Sequence, residues 1–184
     1  AEIANVGQLF LTGEGSSRIF PAKNSIQYAR RNGANLILHT EAGRQSLDYD
    51  LSKWAVFAAS NSGQTAEVIR LFKQLEATGH AQRYSLSANV GSALEGLANQ
   101  GFVLSCGKEE AVAATKSVVE QGLFYRSLIE QAQGASTLGS RLAELGDAIE
   151  AALRVDIDPK LSQRIANSGT IYWSGRNDGV AEEL

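Results

Sequence analysis

Methionine is missing from the sequence altogether, the initiator included, and there is one cysteine, Cys106, and two histidines, His39 and His80. A single cysteine rules out an intrachain disulfide and leaves no zinc-ligand spacing, and the two histidines lie far apart in the chain. No metal and no cofactor is expected, and a cytoplasmic setting fits best. Basic clusters are also missing: 17 Lys and Arg against 20 Asp and Glu, interspersed, give a formal charge of −3. That excludes the electrostatic footprint of a nucleic-acid binder. No apolar run approaches membrane-spanning length, and the first residues lack the charged and apolar regions of a signal peptide. No nucleic acid and no membrane are expected as partners.

What is present is a chain of 184 residues with 43% hydrophobic and 20% charged residues, enough to bury a core and too apolar for disorder. Short apolar runs alternate with longer amphipathic ones, the pattern of parallel strands joined by crossover helices. Strands are predicted at 8–13, 35–40, 54–60, 83–88 and 101–106, and helices at about 16–31, 64–78, 91–99 and 111–133. The fold class is therefore α/β, a doubly wound five-stranded parallel sheet with helices on both faces. The apolar pattern at 117–131 reads as a helix buried against something large.

After residue 135 the composition turns helical, and "TIYWSG" at 170–175 reads as a further strand. Followed by "RNDGVAEEL", it repeats the opening "LFLTGEGSSRIFPA" in outline: strand, small-residue turn, helix start. The division is a first domain at 1–135, a helical connector at 136–168 and the start of a second, similar unit at 169–184. "GVAEEL" opens a helix with no stop signal, so further sequence is expected after Leu184.

Open parallel sheets bind ligands at the carboxyl ends of their strands, and three strand-to-helix handovers here are rich in small polar residues. In "AASNSGQTAEVIR", residues 58–70, the apolar run stops at Ser60 and an amphipathic helix follows. Ser60, Asn61, Ser62 and Thr65 flank free helix N-terminal amides, and Gly63 permits close approach or positive φ. A phosphate ester suits such a turn, and so does an ordinary N-cap with solvated neighbours. In "TGEGSS", Gly13 and Gly15 match part of a dinucleotide fingerprint, but Arg18 stands where its third glycine belongs. Ser16 and Ser17 read instead as phosphate or sugar donors, with an N-cap as the alternative. The third handover is "CGKEEAVAATKS", residues 106–117. Here Lys116 reads as a structural or ligand-supporting cation, Glu109 and Glu110 as an acidic first turn, and Cys106 as a buried strand-end residue. His39 reads as a strand-end histidine.

"GEGSS", "ASNSGQTAEVI" and "GSALEGLANQGFVLSCGKEEAVAATKS" together resemble the sugar isomerase (SIS) domain, in the subfamily of the isomerase half of glucosamine-6-phosphate synthase and related phosphosugar isomerases and deaminases. The resemblance covers residues 8 to about 133. It implies a phosphorylated sugar or aminosugar as ligand, with Ser60, Asn61, Ser62 and Thr65 on the phosphate and Ser16 and Ser17 contributing. The family's V-A-S-T-K segment near the sugar appears as Val112 to Lys116, with Ala114 in place of the serine, so Val112 and Ala114 become candidate sugar contacts. The implied chemistry is an aldose–ketose interconversion, sometimes with gain or loss of an amine, which needs a ring-opening acid and a proton-shuttling base. The resemblance places these groups mainly in a second SIS unit, and Glu183 is the candidate catalytic residue here. A homodimer is implied. The aminotransferase-like reading lacks a preceding glutaminase domain, and the competing class is a phosphosugar sensor that keeps the grip without the base.

Overall fold

The computed structural model describes residues 2–107, 109 and 114–183. Five strands form one parallel sheet: β1 (Gln8–Gly13), β2 (Ile37–Ala42), β3 (Ala55–Ala59), β4 (Arg83–Ser87) and β5 (Gln100–Val103), in the order β2-β1-β3-β4-β5. The helices are α1 (Glu2–Val6), α2 (Ile19–Arg31), α3 (Ala66–Ala77), α4 (Ala93–Leu97), α5 (Lys116–Ala132), α6 (Leu138–Leu153), α7 (Pro159–Ala166) and α8 (Val180–Glu183). The expected doubly wound α/β sheet is therefore present.

The core explains why the strands read as uninterrupted apolar runs. All five residues of β3 are buried, as are Leu9 to Gly13 of β1, because both faces of the sheet are covered. Successive side chains point to opposite faces. Leu9, Leu11, Phe57 and Leu86 pack with Ala22 and Ala29 of α2 and Tyr125 and Ile129 of α5. Phe10, Val56 and Ala58 pack on the other face against Val68, Leu71, Phe72 and Leu75 of α3 and Leu94 of α4. Phe57 stacks on Tyr84 and Phe102 at 5.7 Å and meets Tyr125 edge-on at 5.5 Å.

Three departures from the sequence expectation stand out. The last strand ends at Val103, not 106, so Cys106 lies past the sheet and is half-buried instead of buried. The helix expected from 111 starts at Lys116. The strand expected at 170–175 does not form: Ile171, Tyr172 and Trp173 are exposed and carry no regular structure. Extended backbone becomes a strand only by pairing its N–H and C=O groups, and among the described residues no strand lies beside this segment. The helix start read in "GVAEEL" does form, as α8.

Glu130, 4% exposed, ties three helices together. Its carboxylate accepts the Tyr28 hydroxyl of α2 and the Thr137 and Leu138 amides that open α6, each at 2.8 Å. The Arg126 guanidinium lies 3.4 Å from the same carboxylate and 4.4 Å from the Tyr28 ring centroid. Burial is the strongest influence on this carboxyl and disfavours its charge. The Leu138 amide, the Tyr28 hydroxyl and Thr137 outweigh burial together and hold the pKa down at about 2, against an ordinary 4.5. A depressed folded pKa stabilises above the unfolded value and is lost as pH falls through the folded one. Glu130→Gln is accordingly expected to cost about 1–3 kcal/mol in urea unfolding at pH 7. The gap between variant and wild type should narrow as pH drops from 4.5 towards about 2.

Candidate functional site at the carboxyl ends of β1 and β3

The sheet order places β1 beside β3, and the helices that follow them depart to opposite faces. Such a divergence marks the switch point where doubly wound sheets take ligands. The turns after the two strands meet over Gly13. A Cβ there would fall 2.9 Å from both the Ala59 and the Ser17 carbonyl oxygens, so only glycine lets them approach.

The Ser60–Thr65 turn is held by its own hydroxyls and by the turn after β4. Ser60 Oγ lies 2.7 Å from Thr65 Oγ1 and accepts the Gly63 amide at 3.1 Å. Ser62 Oγ accepts the Gln64 amide at 3.1 Å and is exposed. Gly63 has φ +66°. Its carbonyl accepts the Leu94 amide at 3.0 Å, and an added Cβ would sit 2.3 Å from Ser92 Cβ. The Asn61 carbonyl accepts the Ala88 amide at 3.0 Å and Asn89 Nδ2 at 3.1 Å, while Asn61 Oδ1 is buried without a partner. Ser60, Asn61, Ser62 and Thr65 are thus brought into one rigid turn. Ser60 and Thr65 spend hydroxyl capacity on each other, which the sequence did not reveal.

The helices differ in what covers their first amides. Phe20 of α2 donates to Glu183 Oε2 at 3.4 Å, Ser117 of α5 to Glu109 at 3.1 Å, Leu138 of α6 to Glu130, and Lys160 of α7 to Asp158 at 2.9 Å. Among the described helices of eight residues or more, α3 alone has no first-turn amide that donates to a side chain of a described residue. Thr65 at its N-cap makes no capping bond. The unsatisfied positive end of α3 therefore faces the Ser60–Thr65 turn.

The remaining candidates are distributed around this turn. Ser16 and Ser17 form a 3-10 turn after β1, joined to α5 by Gln121, whose amide donates to the Ser17 carbonyl. Glu183 reaches the start of α2 beside them, and its neighbour Glu182 pairs with Lys23 at 2.7 Å. Ala114 is half-buried ahead of α5, whereas Val112, Ala113 and Glu110 lie outside the described residues. Glu109 is not in the first turn of α5, as expected, but in the loop before it. Its carboxylate receives the amides and hydroxyls of Thr115 and Ser117 at 2.9–3.1 Å. The Ser117 amide leads these contacts in holding its pKa at about 2. Burial, then the Glu120 carboxylate, raises the Cys106 thiol, which is no poised nucleophile.

Three contributors escaped the sequence reading. Asn89 donates to the Asn61 carbonyl and Ser92 packs against Gly63 from another loop, and only the "SAN" and "GSA" small-residue clusters flanking Val90 hinted at them. Glu14, inside "TGEGSS", has a buried Oε1 without a partner. The signal there was a carboxylate between two glycines. Among the described residues no group of His, Cys, Asp or Glu could hold a metal ion, and no helix is long and apolar enough to cross a membrane.

This architecture recurs in solved structures. A protein assigned as a phosphosugar isomerase from Silicibacter pomeroyi DSS-3 superposes with a TM-score of 0.71 at 21% identity, over 90% of this chain and 53% of that one. The C-terminal domain of glucosamine-fructose-6-phosphate aminotransferase from Francisella tularensis gives 0.61 at 17% identity, over 79% and 44%. An Escherichia coli CFT073 protein in complex with arabinose 5-phosphate gives 0.56 at 18%, over 68% of each chain. The chain spans about half the length of the first of these. The SIS domain model matches residues 2–131, and the chain belongs to the SIS domain family. No curated protein matches it.

Gly63→Ala is expected to destabilise the protein by about 1–3 kcal/mol from crowding against Ser92 alone, with further strain from the positive φ. Urea unfolding of Gly63→Ala beside Gly7→Ala, where an added Cβ meets nothing within 4 Å and φ is +72°, separates crowding from strain.

Proposed function

We propose that the Ser60–Thr65 turn binds the phosphate of a phosphorylated sugar or aminosugar, and that the chain is the anchor half of an aldose–ketose isomerase or aminosugar-phosphate isomerase or deaminase. The observation that carries this reading is the uncovered N-terminus of α3. Three other helices each place a glutamate over the same kind of amides, and α3 leaves its own to the turn. A phosphate oxygen there gains from oriented amides and hydroxyls and needs no basic patch, in keeping with the net charge of −3. The solved structures of like fold, assigned as phosphosugar isomerases or bound to arabinose 5-phosphate, support the same ligand class.

In this reading Ser62 and the α3 amides grip the phosphate, Asn61 and Thr65 orient the grip, and Ser16 and Ser17 approach the sugar from the turn after β1. Val112 and Ala114 contact the sugar from the segment before α5. Glu183 serves as the acidic group that moves a proton between the first two sugar carbons or opens the ring. Its place at the start of α2, next to Ser16 and Ser17, is compatible with that role. The working form is a cytoplasmic homodimer. An aminotransferase reaction needs an ammonia source in addition, and Ala114, where the family carries serine, removes one hydroxyl from the sugar side.

The test is thermal unfolding with fructose 6-phosphate, glucosamine 6-phosphate, unphosphorylated fructose and inorganic phosphate, on the wild type and Ser62→Ala. Ligand at a hundred times Kd stabilises the folded state by about 2.7 kcal/mol. A rise in midpoint with the phosphosugars, absent with fructose and lost in Ser62→Ala, is the expected result. Equal shifts in wild type and variant would remove the turn from the binding site.

A further inference from the structure

Basic side chains from α2 and the 176–177 segment share a cavity whose lining includes no residue of the Ser60–Thr65 turn. Lys23, Gln27 and Arg30 of α2, Thr40 of β2, and Arg176 and Asn177 line a cavity of about 290 Å³. Lys23 is already paired with Glu182, at 2.7 Å. Arg30 and Arg176 have no carboxylate within 4.0 Å among the described residues, although each comes from a different element. Asp178, the nearest acidic residue in sequence to Arg176, accepts the Val180 amide and is not part of the cavity wall. Two guanidinium groups sharing a cavity without a counter-ion repel each other, and an anion between them reverses the sign of that interaction.

Two further features equip the cavity to hold an anion. β2 is the edge strand, and Ile37 gives its N–H to Gly7 of the β1 side. Backbone direction alternates along a parallel strand, so Leu38 and Thr40, both in the cavity wall, turn their N–H groups to the open edge. The Thr40 Oγ1 is also buried with no hydrogen-bond partner, which native structures seldom tolerate without a ligand or water nearby. Asn177 adopts φ +59°, a left-handed conformation that lets the chain turn Arg176 back towards α2.

We propose that this cavity is a site for a small oxyanion, the phosphate or carboxylate group of a soluble ligand, held between Arg30 and Arg176. The bound anion links α2 to the segment 176–183. That segment already docks there through Gly179 against Phe20 and through the Lys23–Glu182 pair. Occupancy therefore strengthens the docking that sets Glu183 at the start of α2. The site is separate from the Ser60–Thr65 turn and does not depend on what that turn binds.

The test measures the unfolding midpoint against concentration of inorganic phosphate, and of succinate, at ionic strength held constant with chloride. It is run on Ser62→Ala and on Ser62→Ala carrying Arg30→Gln and Arg176→Gln. The first variant is expected to respond to at least one of the two anions. The second should need roughly tenfold more anion or stop responding, the loss expected for charge-assisted contacts. Both arginines are solvent-exposed, so relief of their mutual repulsion should leave the anion-free midpoint of the triple variant equal to that of Ser62→Ala or slightly above it. No response in Ser62→Ala, or an unchanged response in the triple variant, overturns the proposal. A response in wild type lost by Ser62→Ala alone assigns the anion to the Ser60–Thr65 turn instead.

Discussion

The structure depends on β1 being sandwiched on every side. β2 and β3 pair along its two edges, α2 and α5 cover one face, and α3 and α4 cover the other. Because the helices after β1 and β3 go to opposite faces, the backbone parts at the ends of these two strands. Gly13 sits at that parting, with two carbonyls converging on the position a Cβ would take. The candidate contacts Ser16, Ser17, Ser60, Asn61, Ser62 and Thr65 hang from the turns on either side of it.

Helix N-termini are the second organising principle. Each leaves unpaired amides, and burial makes these costly unless an acceptor is supplied. In α2, α5 and α6 the acceptor is a glutamate from outside the helix: Glu183, Glu109 and Glu130. Two of these carboxyls are held at about 2, which favours their charged form at neutral pH. The contrast with α3 gives its bare N-terminus meaning. In a molecule that covers these amides with carboxylates elsewhere, an uncovered set beside four polar side chains suits a ligand that brings its own negative charge.

The fold and the main turn were legible in the sequence because both rest on local pattern. Strands buried on two faces read as unbroken apolar runs, and AVFAA followed by SNSGQT marks a strand end and a helix start whatever the rest of the chain does. The SIS resemblance in three separated motifs agrees with the family match over residues 2–131. The strand expected at 170–175 does not form, since pairing is a property of neighbours and not of the segment itself. The position of Glu109 was misread for a similar reason. Two adjacent glutamates before a helical pattern look like its first turn, whereas Glu109 stands in the loop and folds back over Thr115 and Ser117.

By itself, then, the sequence determined the five strands of the sheet and the main helices between them, that the sheet is parallel and covered on both faces, and that the turn at Ser60–Thr65 is built of hydroxyls and a glycine. Those are consequences of hydrophobic period and of residue chemistry over a few positions. Tertiary structure alone decided which amides remain uncovered, that Asn89 and Ser92 contact the Ser60–Thr65 turn, and that Arg30 and Arg176 share a cavity 146 positions apart in the chain. Each of these joins groups distant in sequence, and their meeting is set by sheet order and helix placement, which no local pattern encodes.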